Sequence, residues 1–132
     1  MENCNNKHIQ LQNLEIYQLA REISRLAWSI YSKLYWQDKK TMGDQFLTAS
    51  DSIGANLTEG YYRFHFLDKI KFFYNSRGSL GEARDYWIEL LAERGKIKVE
   101  EYYDFVALCN KYGKKLNRFI QTTYEASKNP TK

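Results

Sequence analysis

Apolar side chains recur at steps of three and four residues through four stretches of the chain, which is the spacing of one face of an α-helix. No stretch alternates apolar and polar positions, so no strand is predicted. Gly60 and Gly95 directly follow the second and third stretches, where glycine commonly ends a helix in the left-handed conformation. Trp36–Thr41 is polar and is predicted to be a connection. The predicted helices cover about residues 14–34, 42–59, 66–93 and 99–127.

Four amphipathic helices with short connections pack most simply as an antiparallel up-down-up-down bundle, so the predicted fold class is all-α. A length of 132 residues fits one domain. We expect the bundle to span residues 14–127, between a loosely ordered N-terminal tail (1–13) and a C-terminal tail (128–132). Trp87 falls on the apolar stripe of the third helix and is predicted to be a core residue.

The apolar face of the fourth helix is wider than a single bundle seam requires. Beside its main stripe lies a second apolar strip formed by Phe105, Leu108, Tyr112 and Phe119. Such a strip is typical of a surface that a second copy of the chain covers, and it predicts self-association. The alternative is that these large side chains wrap around the edge of the bundle.

Positive charge is concentrated towards the end of the chain. The whole sequence has 20 Lys and Arg against 16 Asp and Glu, but in residues 105–132 the count is six against one, Glu125. The solvent face of the fourth helix carries four of these cations, Lys111, Lys114, Lys115 and Arg118. Such a face attracts RNA or DNA through long-range electrostatics. The alternative is a basic helix face that only keeps the protein hydrated.

The segment 60–65 mixes aromatic side chains with a cation. Aromatic rings can stack on unpaired bases while a cation meets a phosphate. Alternatively the rings close the end of the bundle, which is our interpretation of Tyr61 and Phe64. If the third and fourth helices form an antiparallel hairpin, nearby cations gather towards the same half of the bundle as the basic face. This second candidate group for nucleic acid consists of Arg63, Lys69 and Lys71.

Arg77 and Arg84 lie seven residues apart, near the apolar arc of the third helix rather than on its polar face. A buried guanidinium needs a carboxylate partner, and the candidates are Asp51 and Glu59 on the second helix or an acid from another subunit. We interpret the two arginines as lining a polar interior, either a channel or an anion site between helices. The alternative is two long side chains that reach the rim. The hairpin would place Arg77 level with about Lys115.

The sequence lacks the residue patterns of common catalytic and metal sites. Its histidines, His8 and His65, do not belong to Glu-x-x-His pairs, and neither Cys-x-x-Cys nor a glycine-rich phosphate loop occurs. The stretch Gly78-Ser79-Leu80-Gly81 lies within a predicted helix and is interpreted as a close helix–helix contact rather than a nucleophile elbow. We therefore expect no enzyme, no metal and no cofactor.

The sequence also favours a cytoplasmic protein with no membrane partner. No apolar run is long enough to cross a bilayer, and the polar first 12 residues do not resemble a secretory signal. The two cysteines, Cys4 and Cys109, lie far apart in the sequence and do not suggest a disulfide framework.

Residues 44–91 carry an ordered set of small and polar residues: Ser52-Ile53, Ala55-Asn56-Leu57, Glu59-Gly60 and Arg63, then Arg77-Gly78-Ser79-Leu80 and Glu82. This set resembles the four-helix-bundle family of proteins encoded in intervening sequences of bacterial 23S ribosomal RNA genes. The resemblance implies a homopentamer of antiparallel bundles that forms a ring. It also implies kinship with the accessory proteins of diversity-generating retroelements, basic pentamers that bind nucleic acid and a reverse transcriptase. No catalytic activity is established for the family.

Two hypotheses about function follow. The first is a basic accessory module that binds nucleic acid, in particular structured RNA, or an RNA–protein complex. The second is a structural or protein-interaction oligomer whose positive charge is incidental. A steep fall of RNA affinity with salt would support the first, and indifference to RNA would support the second.

Overall fold

A computed structural model describes residues 10–128, and within that range the secondary structure is helical, with no strand. Helix α2 packs against both α1 and α3, and α4 packs against the same two helices. The apolar core therefore lies between the four helices, as expected for an all-α fold. The helices are α1, Glu15–Ser32; α2, residues 36–61; α3, residues 66–93; and α4, Val99–Lys128.

Helical structure is present within the predicted N-terminal tail, before the start of the predicted bundle. One turn of 3-10 helix, Leu11–Asn13, precedes α1, and Leu11 is buried. Apolar contact thus holds the end of the predicted N-terminal tail against the helices. The other tail residues, 1–9 and 129–132, lie outside the described residues.

Helix α2 begins earlier than the apolar pattern predicts. Trp36–Asp38 is already α-helical, and a π-helical turn, Lys39–Gly43, leads into the α-helix Asp44–Tyr61. The prediction of a connection at Trp36–Thr41 is therefore wrong. A π-helical turn holds one residue more than an α-helical turn, so the spacing of three and four breaks although the backbone stays helical.

Helix α3 contains a second π-helical turn, Ala83–Trp87, between Phe66–Glu82 and Ile88–Glu93. Because this turn holds an extra residue, it rotates the side chains that follow, and Ile88 is fully buried. Trp87 is only half-buried, and its indole N–H donates to Glu82 Oε2 at 2.9 Å. The prediction of Trp87 as a core residue is therefore wrong.

Of the two glycines predicted to end helices, only Gly95 does so. Gly95 follows α3 with a φ of 69°, so the predicted left-handed stop is confirmed. Gly60 lies inside α2 without a positive φ, and the helix continues to Tyr61. A Cβ at Gly60 would lie 2.7 Å from Phe73 Cε1. Glycine is needed at position 60 for the close approach of α3, and the predicted stop is wrong.

Gly78 and Gly81 do not mediate a helix contact within the chain. A Cβ added at either position would meet nothing within 4 Å, apart from the local helix backbone. The interpretation of 78–81 as a close helix–helix contact is therefore wrong for this chain, since both glycines face away from the neighbouring helices.

The wide apolar face of α4 is explained by its two neighbours, α1 and α3. Phe105 and Tyr112 are fully buried, and the ring centre of Phe105 lies 5.1 Å from that of Phe46 on α2. Leu108 and Phe119 are partly buried against the same core. The predicted surface strip for a second copy is wrong because its residues form the core and its edge. Self-association stays a prediction that rests on the resemblance.

Side-chain contacts show that α3 and α4 run in opposite directions. Arg77 on α3 donates to Asn117 on α4, and Arg84, further along α3, donates to Asn110, which comes earlier on α4. The sequence predicted that Arg77 lies level with about Lys115. Its observed partner, Asn117, is two residues further along α4. This register places the polar side chains of both helices along one groove.

Candidate nucleic-acid interface

The solvent face of α4 carries the basic group predicted from the sequence. Lys111, Lys114 and Arg118 are exposed, and none forms an ion pair with any residue in the described range 10–128. Lys115 is half-buried, and its amino group forms an ion pair with the Glu15 carboxylate of α1 at 3.0 Å. We call Lys111, Lys114 and Arg118 the α4 basic face. The structure leaves these three cations available to an anionic ligand.

A groove runs between α3 and α4 beside the α4 basic face, and we call it the α3–α4 groove. Its volume is about 430 Å³. Its lining combines an apolar floor with amide and cationic groups, which are Leu80, Gly113, Asn110, Asn117, Arg77, Arg84 and Lys114. Because Lys114 also belongs to the α4 basic face, the two surfaces are continuous.

Arg77 lies on the α3 side of the groove and is exposed. Its Nη1 donates to Asn117 Oδ1 at 3.1 Å, and its guanidinium carbon lies 4.8 Å from the ring centre of Tyr74. Neither Asp51 nor Glu59, the predicted carboxylate partners, forms an ion pair with it among the described residues. Arg77 therefore keeps an unpaired positive charge at the surface.

Arg84 lies two helical turns further along α3 and is half-buried. Its Nε and Nη2 donate to the two carboxylate oxygens of Asp85 at 2.7 and 2.9 Å, and its Nη1 donates to Asn110 Oδ1 at 3.3 Å. The hydrogen bond from Arg84 lowers the pKa of the Asp85 carboxyl. The predicted polar interior for Arg77 and Arg84 is, in this chain, a groove open to solvent. The predicted acidic partners on α2 are replaced by a neighbour on α3.

The second predicted group lies at the turn between α2 and α3 and is largely engaged in local contacts. Arg63 pairs with Glu59 at 2.7 Å and lies 4.6 Å from the ring centre of Phe72. The Lys69 amino group donates to the Tyr61 carbonyl at 2.7 Å. Desolvation lowers the pKa of Lys69. In this group only Lys71 is exposed without an ion pair to a described residue.

The aromatic side chains at the same turn differ in exposure. Phe64 is 87% exposed, so the interpretation that it closes the end of the bundle is wrong. Within the described residues its ring contacts one other ring, that of the adjacent His65, with 5.1 Å between the ring centres. Tyr61 is half-buried, and the Lys69 ammonium lies 5.7 Å from its ring centre. The turn thus presents two strongly exposed rings, Phe64 and Tyr62, of which Tyr62 is 70% exposed.

Sequence reasoning missed the amides of the groove and the acid that pairs with Lys115. Asn110 and Asn117 are seven residues apart on α4, the same spacing as Arg77 and Arg84 on α3. Matching intervals of seven on two antiparallel helices were the available signal for this cluster. Glu15 lies on a different helix and 100 positions away in sequence, so only the fold brings it to Lys115.

Neither a metal-binding cluster nor an ionised thiol is present in the described part of the chain. No group of three His, Cys, Asp or Glu side chains in residues 10–128 comes close enough to hold a metal ion. Cys109 is fully buried, and burial raises the pKa of its thiol to about 12. At neutral pH this thiol is therefore protonated.

The fold and the site together define an all-helical protein with four long helices and a basic face on the last. Residues 12–118 match the family model of the 23S rRNA-intervening sequence protein, and the chain belongs to this family. The resemblance noted in the sequence is confirmed. No curated protein matches the chain.

A solved structure supports the same assignment. It is a protein of unknown function from the S23 ribosomal protein family of Bacteroides thetaiotaomicron VPI-5482, with a TM-score of 0.72 and 25% sequence identity. The match covers 80% of this chain and 97% of the other. Among the helices of residues 10–128, none has the length and apolar character needed to cross a membrane.

Proposed function

We propose that this protein is a non-catalytic accessory protein that binds nucleic acid, in particular structured RNA or an RNA–protein complex. The observation that carries the proposal is the α4 basic face. Its cations, Lys111, Lys114 and Arg118, are exposed, lie on one side of one helix and have no acidic partner in residues 10–128. Unpaired cations on a continuous surface supply the electrostatic part of nucleic-acid affinity.

The physical basis of binding is the release of counterions from phosphates. Each cation that neutralises a phosphate makes the affinity more dependent on salt, without reading the bases. We therefore expect binding to RNA or DNA with little sequence preference. The partner protein is a reverse transcriptase or another nucleic-acid enzyme, which the resemblance to retroelement accessory proteins suggests, and the site of action is the cytoplasm.

Assembly would strengthen such binding. We infer that the chain folds as an up-down-up-down bundle and forms a homopentameric ring, in line with the resemblance. A ring repeats the α4 basic face on every subunit, so that several weak contacts act together on one nucleic-acid molecule. Light scattering on the purified protein tests this part of the proposal, and a monomer at micromolar concentration would contradict it.

The test of the binding surface is the variant K111E/K114E/R118E, titrated with a labelled structured RNA. Lys115 is left unchanged because its ion pair with Glu15 connects α1 and α4. We expect the affinity to fall by at least about 100-fold at 0.1 M salt, because three phosphate contacts become repulsive. Oligomeric state and helix content are checked in parallel.

The matched control is R25E/R94E/K98E. These residues are exposed, and none forms an ion pair within residues 10–128, so the control changes the net charge by the same amount. It should retain most of the affinity. Equal losses in the two variants would mean that only net charge matters, and no loss in either would mean that α4 is not the binding surface.

A structural or protein-interaction role is the second candidate, and exposed aromatic side chains favour it. Around the start of α2, Trp28, Tyr35 and Trp36 are 58%, 79% and 66% exposed. Trp and Tyr are enriched where proteins bind proteins. RNA affinity that is absent at low salt, in a protein that still assembles, would select this role.

A further inference from the structure

The α3–α4 groove presents mainly hydrogen-bond donors to a ligand. Asn110 and Asn117 each accept a hydrogen bond from an arginine through Oδ1, so their amide N–H groups remain for a ligand. Arg77 uses one of its five N–H groups in that contact, and the Lys114 ammonium has no recorded partner in residues 10–128. A ligand that fits this groove must supply several acceptor atoms.

The charges in the groove also favour a ligand with several acceptor atoms. Arg77 and Lys114 have no carboxylate partner among the described residues, so both add positive charge. Asp85 is the acid beside the groove, and Arg84 engages both of its carboxylate oxygens. The groove therefore carries a net positive charge, because Arg84 neutralises the neighbouring acid. An anion with several oxygens satisfies both the charge and the donors.

The geometry suits an extended anion rather than a small isolated ion. Arg77 and Arg84 are seven residues apart on α3, which corresponds to about 10 Å along the helix axis. Between them the floor is formed by Leu80 and by Gly113, where a Cβ would lie 3.2 Å from Leu80 Cδ2. The absence of a side chain at 113 keeps the floor low between the two guanidinium groups.

We propose that the α3–α4 groove is a subsite for the backbone phosphates of a nucleic acid, with Arg77 as the phosphate-binding cation and the Arg84 N–H groups that Asp85 and Asn110 leave free as further donors. Asn110 and Asn117 are positioning residues that orient the two guanidinium groups. Lys114 connects the subsite to the α4 basic face, so one strand can occupy both. This inference rests on the proposed function, since it locates a strand that the α4 basic face attracts.

The experiment compares R77Q/R84Q with R25Q/R94Q, which removes two exposed arginines that form no ion pair in residues 10–128. The probe is a fluorescein-labelled single-stranded RNA, titrated by anisotropy over a series of salt concentrations. For R77Q/R84Q we expect an affinity at least about tenfold lower at 0.1 M salt and a salt dependence shallower by about one in log–log slope, because only Arg77 has no carboxylate partner. R25Q/R94Q should keep the slope of the unchanged protein.

The outcomes separate the two proposals. If R77Q/R84Q behaves like R25Q/R94Q while K111E/K114E/R118E loses affinity, the groove is not a subsite and the proposed function stands. If none of the variants loses affinity, the proposed function fails as well.

A free nucleotide is another source of phosphate groups, and calorimetry with a nucleoside triphosphate tests it. Saturable binding that R77Q/R84Q abolishes, with RNA affinity unchanged, would overturn the assignment to a nucleic-acid backbone. Circular dichroism confirms that each variant is folded.

Discussion

The two groups of basic residues predicted from the sequence differ in what surrounds each cation. At the turn between α2 and α3, Arg63 pairs with Glu59, and Lys69 donates to a backbone carbonyl at the end of α2. On α4 and across the groove, Lys111 and Lys114 have no acidic partner in the described chain, and Arg77 is held by a neutral amide. The comparison teaches that a cation contributes most to binding when it is exposed and no carboxylate of the fold neutralises its charge.

The charge of each hydrogen-bond partner contributes to the difference between the two groups of cations. A carboxylate cancels the charge of an arginine, whereas the side-chain amide of Asn117 fixes the position of Arg77 and leaves its charge intact. The groove thus holds Arg77 in a fixed position and keeps its positive charge. The turn between α2 and α3 uses its charges mainly to join two helices.

The largest expected effect comes from neutralising each group with the same substitutions. K111Q/K114Q/R118Q and R63Q/K69Q/K71Q each remove two lysines and one arginine. We expect the first variant to lose roughly 100-fold in RNA affinity at 0.1 M salt and the second less than about fivefold, because Arg63 is paired with Glu59 and Lys69 is half-buried, which leaves only Lys71 both exposed and unpaired. Anisotropy titration measures both. A larger loss in the second variant would reverse the comparison.

A substitution at the turn should change stability instead of binding. Gly60→Ala places a Cβ 2.7 Å from Phe73 Cε1, and such overpacking should lower the free energy of unfolding by about 1–3 kcal/mol. Gly78→Ala is the matched control, because a Cβ there meets nothing within 4 Å. It should stabilise the helix by up to about 1 kcal/mol.

Urea unfolding of the two alanine variants measures these changes, and RNA titration of the folded variants measures binding. Equal stability changes at positions 60 and 78 would show that the close approach of Phe73 does not require glycine at position 60. A loss of RNA affinity in the stably folded Gly60→Ala variant would show that the turn takes part in binding.

A smaller effect is expected from releasing a paired cation. Glu15→Gln removes the ion pair of Lys115 and leaves its ammonium next to the α4 basic face. RNA affinity at 0.1 M salt should rise by up to about tenfold, with a steeper salt dependence, because one more phosphate contact becomes possible. Glu22→Gln, an exposed acid on α1 with no ion pair in residues 10–128, controls for net charge. An equal rise in RNA affinity in both variants would show that the change in net charge, rather than the release of Lys115, is the cause.

Periodicity in the sequence predicted the four helices and the stop at Gly95, because amphipathic spacing and a left-handed glycine are local properties. It did not predict the π-helical turns at Lys39–Gly43 and Ala83–Trp87. Each inserts one residue into the repeat, and a repeat of three and four cannot show where the insertion occurs. The incorrect placement of Trp87 in the core follows directly from this limitation of the pattern.

Only part of the candidate site could be predicted, because the sequence shows which residues share a helix face but not which of them are paired. The cations of α4 could be found in the sequence because they share one face of one helix. Whether each is paired depends on contacts such as Lys115 with Glu15, which join residues distant in the chain. The width of the α4 apolar face was likewise misread, since burial of Phe105 and Tyr112 requires knowing that two helices flank α4.

The most direct test of the central claim is the affinity of the unchanged protein for a structured RNA, measured over a series of salt concentrations. The three available cations on α4 should contribute about −2 to −3 to the slope of log affinity against log salt for each engaged subunit, in addition to the contribution of the α3–α4 groove. In K111Q/K114Q/R118Q the slope should become shallower by that amount. RNA binding that is independent of salt, or no binding at low salt, would contradict the account.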